Sequence, residues 1–466
     1  VAQHAAPEYS VPSAALVIAS LSLAIWLFLA AARGKFWRLQ EFDDDTAKHE
    51  PPTTWPNVVA IVPARNEAAT IAQAVTSLLQ QNYAGEFSIL LVDDHSEDST
   101  AQIASQAARA LSAESRITIR VSPPLPEGWT GKLWALNEGV THDPSRGAAP
   151  LRPSPATNEH SKPTYYWFTD ADIVHAPDTL HRLVARAEHD HLDLASLMVL
   201  LQAKTLPERA LIPAFLLFFL KLYPPSRIAN SKAQTAGAAG GCILLRNEAL
   251  QRIGGFAAIR SAVIDDCALA RAVKVAQPIL AVLRRSPSTN PQPSTPDQQI
   301  HSNPEAQRTS AEPKDLNASP SQPHEHGTNS TGRIWMGLTR ASVSLRAYTT
   351  FHEIRDLIAR TAFTQLHYSP LLLLATLLAM FLIYVVPVVL LFAPNPAPRI
   401  LGASAWLLMS LLYLPTIRFY RLSPAWAATL PLVALFYSYA TFLSAARYYL
   451  GRGAQWKGRS QVTRQT

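Results

Sequence analysis

Four long apolar runs punctuate the chain: Val11–Ala32, Ser369–Ala393, Ile400–Ile417 and Ala425–Tyr448. About 20 consecutive apolar residues reach across a bilayer as a helix, so each run is a transmembrane candidate; Ile400–Ile417 is marginal in length and carries Pro415. The first run has no charge and is followed by Arg33, Lys35 and Arg38. A signal peptide carries its basic flank in front, so this run is expected to anchor the chain rather than be cleaved. A fifth run, Ala210–Tyr223, is too short to cross and suits either an interfacial helix or a buried one.

Between the first run and the last three, the pattern changes to short β-rich stretches, each leading through a turn into a helix-like segment. Val58–Val62, Ile89–Val92, Arg116–Val121 and Tyr165–Thr169 are expected strands; Ala68–Gln81 and Ser99–Leu111 are expected helices. That alternation predicts an α/β fold with a mostly parallel, Rossmann-like sheet and ligands at the carboxyl ends of its strands. Two stretches break the pattern. His142–Lys162 and Arg285–Gly332 are rich in Pro, Ser and other small or polar residues and cannot bury much surface, so both read as disordered insertions. His301, His324 and His326 lack ligand spacing and read as solvated linker. The expected organisation is an anchor over 1–40, an α/β domain over 55–284, an insertion over 285–332, a return segment with an interfacial helix over 333–368, C-terminal transmembrane helices over 369–450 and a basic tail over 451–466.

Composition sharpens this. Of 466 residues, 48% are hydrophobic and 16% charged, well below the roughly 25% charged of a soluble domain, which excludes a disordered chain and argues for membrane residence. Cys242 and Cys267 are the two cysteines, too few for a disulfide framework or a Cys-x-x-Cys zinc site. The net charge of +7 comes from the end of the chain: after Asp356 there are nine basic residues and no acidic one, leaving residues 1–356 at −2. Positive charge placed beside apolar runs anchors a membrane surface; a nucleic-acid partner is not expected. Three C-terminal crossings would put Arg452, Lys457, Arg459 and Arg464 on the face opposite Arg33, Lys35 and Arg38, against the positive-inside tendency.

The chemistry is carried by where the acids stand. Asp93-Asp94 follow one apolar strand, and Asp170-Ala-Asp172 follow another. Carboxylates gathered at one sheet edge repel unless a cation or a hydrogen-bonding ligand sits between them. Hard oxygen donors with open positions suit Mg²⁺ or Mn²⁺ bridging a diphosphate. The first strand exits through Pro63-Ala64-Arg65-Asn-Glu67 toward a helix start whose free N–H groups can meet a polar ligand. Lys132 stands near another helix start, with Asn137 on the same stretch. Asp265-Asp266 precede a helical stretch and follow Gly254-Gly255-Phe256, glycines that permit close backbone approach. Neighbouring helical side chains diverge by about 100°, so one of the two acids is expected to face the site, where it could take a proton from an attacking hydroxyl.

Together these motifs resemble the inverting glycosyltransferases of family 2 with the GT-A fold. The likeness rests on Val62-Pro-Ala-Arg-Asn-Glu67, Val92-Asp-Asp-His-Ser-Glu-Asp-Ser-Thr100, Gly131-Lys-Leu-Trp-Ala-Leu-Asn-Glu-Gly139, Thr169-Asp-Ala-Asp172, Gly240-Gly241, Ile253-Gly-Gly-Phe256 and Asp265-Asp266, in order over residues 55–275. Gly128-Trp-Thr-Gly-Lys-Leu-Trp134, Ile264-Asp-Asp-Cys-Ala-Leu-Ala270 and Arg360-Thr-Ala-Phe-Thr-Gln-Leu-His-Tyr-Ser-Pro370 are similar to the membrane-anchored branch associated with hopanoid (hopene) biosynthesis. The overall plan is also similar to that of ceramide glucosyltransferases. The resemblance implies a nucleotide-sugar donor held by Pro63, Ala64, Arg65, Glu67, Asp93, Asp94, Lys132, Asn137 and Asp170. It further implies a divalent cation on Asp170 and Asp172, Asp266 as base with Asp265 beside it, and an acceptor side at Gly240, Gly241, Gly254 and Gly255. The Gln-x-x-Arg-Trp motif of processive members is absent; the nearest string is Gln365-Leu-His-Tyr-Ser369. What it implies overall is a multi-pass protein of the bacterial inner membrane, its catalytic domain cytoplasmic, making a glycolipid from a hopanoid or related acceptor. The rivals are a transferase acting on polyprenyl phosphate and a non-catalytic scaffold of a lipid pathway.

Overall fold

A computed structural model describes residues 13–43, 51–143, 164–275 and 332–451, and the backbone of 455–456 and 459–460. Nearly all of the two polar insertions, their three linker histidines and most of the basic tail lie outside the described residues.

The catalytic region is built on an eight-stranded sheet: β1 (Val58–Ala64), β2 (Phe87–Asp93), β3 (Ile117–Val121), β4 (Tyr165–Thr169), β5 (Ile173–His175), β6 (Leu194–Leu200), β7 (Cys242–Arg246) and β8 (Ile334–Ser344), in the order β3-β2-β1-β4-β7-β6-β8-β5. Strands β3, β2, β1 and β4 run parallel, as does the β6–β8 pair; β7 and β5 run antiparallel to their neighbours. β1 is buried along its whole length, as expected of a central strand covered on both faces. Its Val58, Ala60 and Val62 pack with Ile71, Val75 and Leu78 of α2 (Ile71–Leu79), on the face that also carries α3 (Thr100–Ala110) and α5 (Thr179–His189). Val59 and Ile61 point the other way, into a core with Leu133, Leu136 and Val140 of α4 (Gly131–Thr141). β8 comes from the segment expected to be a return stretch outside the catalytic domain; it completes the same sheet, between β6 and β5.

The second of these cores does not stop at the sheet. It continues through α6 (Leu206–Leu222) into the helices of the apolar runs, uniting Leu211, Leu217 and Leu220 with Trp26, Tyr384, Met409 and Tyr437. α6 occupies the Ala210–Tyr223 run and packs one face into this core. Short α7 (Pro225–Ala229) and α8 (Asn247–Arg252), then α9 (Asp265–Val275), finish the first half, and α10 (Phe351–Gln365) follows β8. The four apolar runs are α1 (Ala14–Ala32), the continuous Pro370–Phe392 helix containing α11 (Pro370–Met380) and α12 (Val386–Val389), α13 (Pro396–Phe419) and α14 (Leu430–Tyr449). By length and composition, four helices among the described residues are able to cross a membrane, the last being the continuous Pro424–Tyr449.

Glu208 ties α6 to the strand–helix connection that follows β8. Wholly buried, it accepts hydrogen bonds from the backbone N–H groups of Lys204 and Thr205 (both 2.9 Å) and of Tyr348 (2.7 Å), while Thr205 caps α6 in return. Although burial opposes the charge, these N–H donors hold its carboxyl below the usual range. Glu208→Ala strands these donors and is expected to lower the unfolding free energy by about 3 kcal/mol. Denaturant unfolding of the detergent-solubilised protein reads this out.

Candidate active site

β1, β2 and β4 run parallel and end at one edge of the sheet, so Asp94 and Asp170 emerge at the same edge from the two strands that flank β1. Asp172 stands two residues beyond Asp170; its Oδ2 accepts from Ser344 Oγ (3.0 Å) and its carbonyl from Leu345 N (2.7 Å), tying it to the end of β8. The buried His175 ring bonds Thr169 Oγ1 and Ser342 Oγ, both at 2.8 Å, and so locks the end of β4 against β8. From across the sheet α9 brings Asp265 and Asp266. Asp266 accepts from Gly240 N (2.9 Å) and Cys267 N (2.7 Å); Lys132 Nζ lies between the two groups, 2.8 Å from Asp170 and 3.4 Å from Asp265.

These side chains share a cleft with about 260 Å³ of solvent space. Its polar lining includes Glu67, Lys132, Asp170, Asp172, Asp265 and Asp266. Its apolar lining includes Met198, Leu201, Phe215 and Phe219, with Leu357 of α10. Gly240 stands where the two acids and the lysine converge, and a Cβ there would lie 3.2 Å from Lys132 Nζ and 3.3 Å from Asp266 Oδ2, in the space the polar groups occupy.

The electrostatics follow from this crowding. Burial, then Asp265, push the Asp266 carboxyl up to about 6, against the pull of Lys132 and the two N–H groups. Burial, then Asp170 and Glu67, raise Asp172 to about 6 as well, with Ser344 and Arg346 opposing. Burial works against the charge on Lys132, but Asp170 and Asp265 outweigh it and keep the ammonium protonated well beyond its ordinary range. Asp172 is thus crowded by the like charges of Asp170 and Glu67, which a hard cation between Asp170 and Asp172 would relieve. Among the described residues no group of three or more His, Cys, Asp or Glu is arranged to hold a metal by itself. Two carboxylates with the remaining positions left to water and phosphate oxygens are the donor set magnesium takes.

Several expectations change here. Both Asp265 and Asp266 line the cleft: they sit in the first turn of α9, Asp265 beside Lys132 Nζ and Asp266 accepting from Gly240 N. Pro63, Glu67, Gly240 and Gly241 line it too. Ala64, Arg65, Asp93, Asp94 and Asn137 do not. Asp94 is fully buried, accepting from Ser122 Oγ (3.2 Å) with Arg65 Nη1 3.8 Å away, while Asp93 is bonded to Ser96. The N–H groups expected to be free after β1 are taken by the β2–α3 connection: Asn66 by Ser96 (3.0 Å), Glu67 by Thr100 (2.8 Å) and Ala68 by Asp98 (3.0 Å). Gly254 and Gly255 lie off the cleft, and a Cβ on either would meet nothing within 4 Å; their φ angles of +83° and +71° are the reason for glycine. Arg346, Tyr348 and Arg360, which line the cleft, went unassigned in the sequence. Arg360 opens a motif already singled out, whereas nothing around Arg346 marks it in advance.

Residues 59–254 match the family described as Glycosyl transferase family 2. The chain carries a glycosyltransferase domain of that family. Its sheet, mixed but mostly parallel, is the Rossmann-like GT-A arrangement. The match to this transferase family ends at the glycine pair before Phe256, so Asp265, Asp266, β8 and α10 lie beyond it. No curated protein matches the chain by sequence. Among solved structures, the mannosyltransferase PcManGT from Pyrobaculum calidifontis, in complex with GDP-Man and Mn²⁺, is 17% identical with a TM-score of 0.49, covering 94% of this chain and 99% of that one. S. aureus TarS 1-349 in complex with UDP-GlcNAc is 13% identical with a TM-score of 0.34 (85% and 92% covered). Glucosyl-3-phosphoglycerate synthase from M. tuberculosis is 16% identical with a TM-score of 0.28 (48% and 73% covered).

Proposed function

We propose that the protein transfers a sugar from a nucleotide-sugar donor to a hydroxyl of a membrane lipid, with inversion at the anomeric carbon. The observation that carries this reading is that one cleft is lined both by carboxylates and by apolar side chains, two of which, Phe215 and Phe219, come from α6, the helix that packs into the membrane-type helices. A donor diphosphate belongs to the carboxylates, through a bound cation, and a lipid to the apolar side chains.

Asp170 and Asp172 would hold a magnesium or manganese ion, which when bound compensates the charge of the departing nucleoside diphosphate. Asp266 takes the proton from the acceptor hydroxyl as it attacks the face opposite the leaving group. Lys132 keeps Asp170 and Asp265 from repelling Asp266 and the incoming phosphates. Arg65, Asp93 and Asp94 shape the nucleotide end from beneath, by fixing the loops that follow β1 and β2. Asn137 acts through the packing of α4. Phe215, Phe219 and Leu357 exclude water from the acceptor. The sequence resemblance directs the acceptor to a hopanoid or related lipid, the enzyme to a bacterial inner membrane and the catalytic domain to its cytoplasmic face.

Membranes containing the protein, supplied with labelled nucleotide sugars and lipid extract, are expected to form a labelled glycolipid. Asp172→Ala lowers that transfer by about 10³-fold, the several kcal/mol of charge compensation it removes. Undiminished activity would refute the assignment.

One feature favours a second acceptor class. Arg346 and Arg360 face the cleft beside Tyr348, and guanidinium groups pair well with phosphate. A polyprenyl phosphate acceptor would yield a phosphodiester-linked sugar that mild acid releases, whereas a glycoside of a lipid hydroxyl survives the same treatment.

A further inference from the structure

α14 is long and apolar enough to span a bilayer, yet its neighbours place it elsewhere. The membrane helices can be oriented against the catalytic region by their ends. At the close of α1, Arg33 donates to the Lys221 carbonyl at the end of α6 (3.0 Å), and Arg227 donates to the Ala32 carbonyl (3.0 Å). The end of α13 is held likewise: Arg340 of β8 donates to the Phe419 carbonyl (3.2 Å). Pro370, which opens α11, follows Tyr368, stacked on Tyr448 near the end of α10. These three ends face the catalytic region. The far end is the α12–α13 connection around Asn395; a Cβ on Gly402 of α13 would lie 2.7 Å from the Pro387 carbonyl of α12, so the two helices descend together.

From Phe419 the chain turns back along α13 only part of the way. The Ala428 carbonyl accepts from Trp406 Nε1 (3.1 Å), and Trp406 stands about 20 Å along α13 from Phe419 and about 15 Å short of its far end. There α14 begins, and it runs beside catalytic-side helices to its end. Tyr437 donates to the Leu211 carbonyl of α6 (2.9 Å) and meets Phe218 edge-on; Phe436 faces Phe351 at the start of α10. Further on, Ser444 bonds Phe363 N (3.1 Å) and Arg447 pairs with Asp356 (2.7 Å). α10 and α14 therefore lie parallel. A crossing by α14 would carry Arg355, Asp356 and Arg447 into hydrocarbon, where charged groups are costly.

We propose that residues 420–450 form a re-entrant hairpin, entering the bilayer beside α13 and returning under α6 and α10. The chain then crosses three times, by α1, by α11–α12 and by α13, and its tail emerges on the face that holds the catalytic cleft. The occupant of the hairpin's outer surface is lipid: Leu432, Leu435, Tyr439 and Phe442 are exposed along α14. Charge supplies a second argument. With three crossings, Arg33, Lys35, Arg38, Arg418, Arg421 and the four basic tail residues share one face, leaving Arg399 at the far connection, and the positive-inside conflict disappears. The hairpin also gives α10, and with it Leu357 and Arg360, a lipid-side brace.

The test is labelling with a membrane-impermeant maleimide, on the full chain in sealed vesicles of both orientations. Ser460→Cys reports the tail, Gln102→Cys on the outer face of α3 reports the catalytic side, and Asn395→Cys reports the far connection. The parent chain, with Cys242 buried and Cys267 half-buried, is the background. The expected result is that Ser460→Cys reacts in the vesicles where Gln102→Cys reacts and is silent where Asn395→Cys reacts. Tail labelling together with Asn395→Cys would establish a full crossing by α14 and overturn the proposal. So would labelling of Asn395→Cys on the catalytic side, which removes the α11–α13 crossings. Neither outcome bears on which sugar or lipid the enzyme uses, so topology and activity fail separately.

Discussion

Replacing Asp266 with asparagine is expected to reduce kcat for sugar transfer by about 10²- to 10⁴-fold, the range a positioned general base contributes. Donor affinity should change far less: asparagine keeps an oxygen for one of the two N–H groups, those of Gly240 and Cys267, that bond the separate carboxylate oxygens, and the residue's proposed partner is the acceptor hydroxyl. The wild-type pH profile carries a further signature. Asp266 works as a base only when ionised, and its carboxyl is pushed up to about 6. Turnover should therefore be full well above pH 6 and fall as pH drops through that value, a limb missing from the residual activity of Asp266→Asn. Rates with saturating donor across pH 5–8 measure both effects. An unchanged kcat would remove Asp266 from the chemistry.

Lys132→Met is expected to damage both stability and rate. Lys132 is the cation shared by Asp170 and Asp265 in the crowded part of the cleft. Removing one partner from this partly buried ionic cluster leaves charge that solvent screens in part, so the cost should lie between the surface and fully buried limits, about 1–3 kcal/mol, and the midpoint for denaturant unfolding should drop. Because Lys132 also pulls the Asp266 carboxyl down, its loss should move the acidic limb of the pH profile above 6. Lys132→Arg keeps the charge and should preserve most of the stability. It would not restore full turnover, since a planar guanidinium does not reproduce the point contact of an ammonium with two carboxylates. A Lys132→Met variant as stable as the wild type would mean that the carboxylates do not need this cation.

Much of the framework was legible from local pattern. A strand covered on both faces must be apolar throughout, so Val58–Val62 and Ile89–Val92 announced themselves, and acids immediately beyond such strands can only stand at the sheet edge. Asp170 and Asp172 were found for that reason. The apolar runs were equally plain, because a residue facing hydrocarbon and one facing a protein core obey the same composition rule.

That same degeneracy is why sequence left the rest open. Nothing in the composition of Leu430–Tyr449 separates a helix that crosses from one that returns; the partners at Leu211, Phe351 and Asp356 do, and they are distant in the chain. The free N–H groups expected after β1 were claimed by Ser96, Thr100 and Asp98, from a loop whose approach depends on the pairing of β1 with β2. Asp265 and Asp266 looked like alternatives on a helix, yet both line the cleft, Asp265 beside Lys132 and Asp266 bonded to Gly240 N.

By itself the sequence determined the alternation of strands and helices, the acids at the strand ends and the four apolar helices, since each depends on residues a few positions apart. Only the tertiary structure decided that Ile334–Ser344 joins the sheet, that Lys132 bridges two acidic groups, and that Arg346 and Arg360 reach the cleft. Those outcomes depend on long-range pairing across the polar insertions, where the physical cause is a contact between remote segments rather than the character of either one.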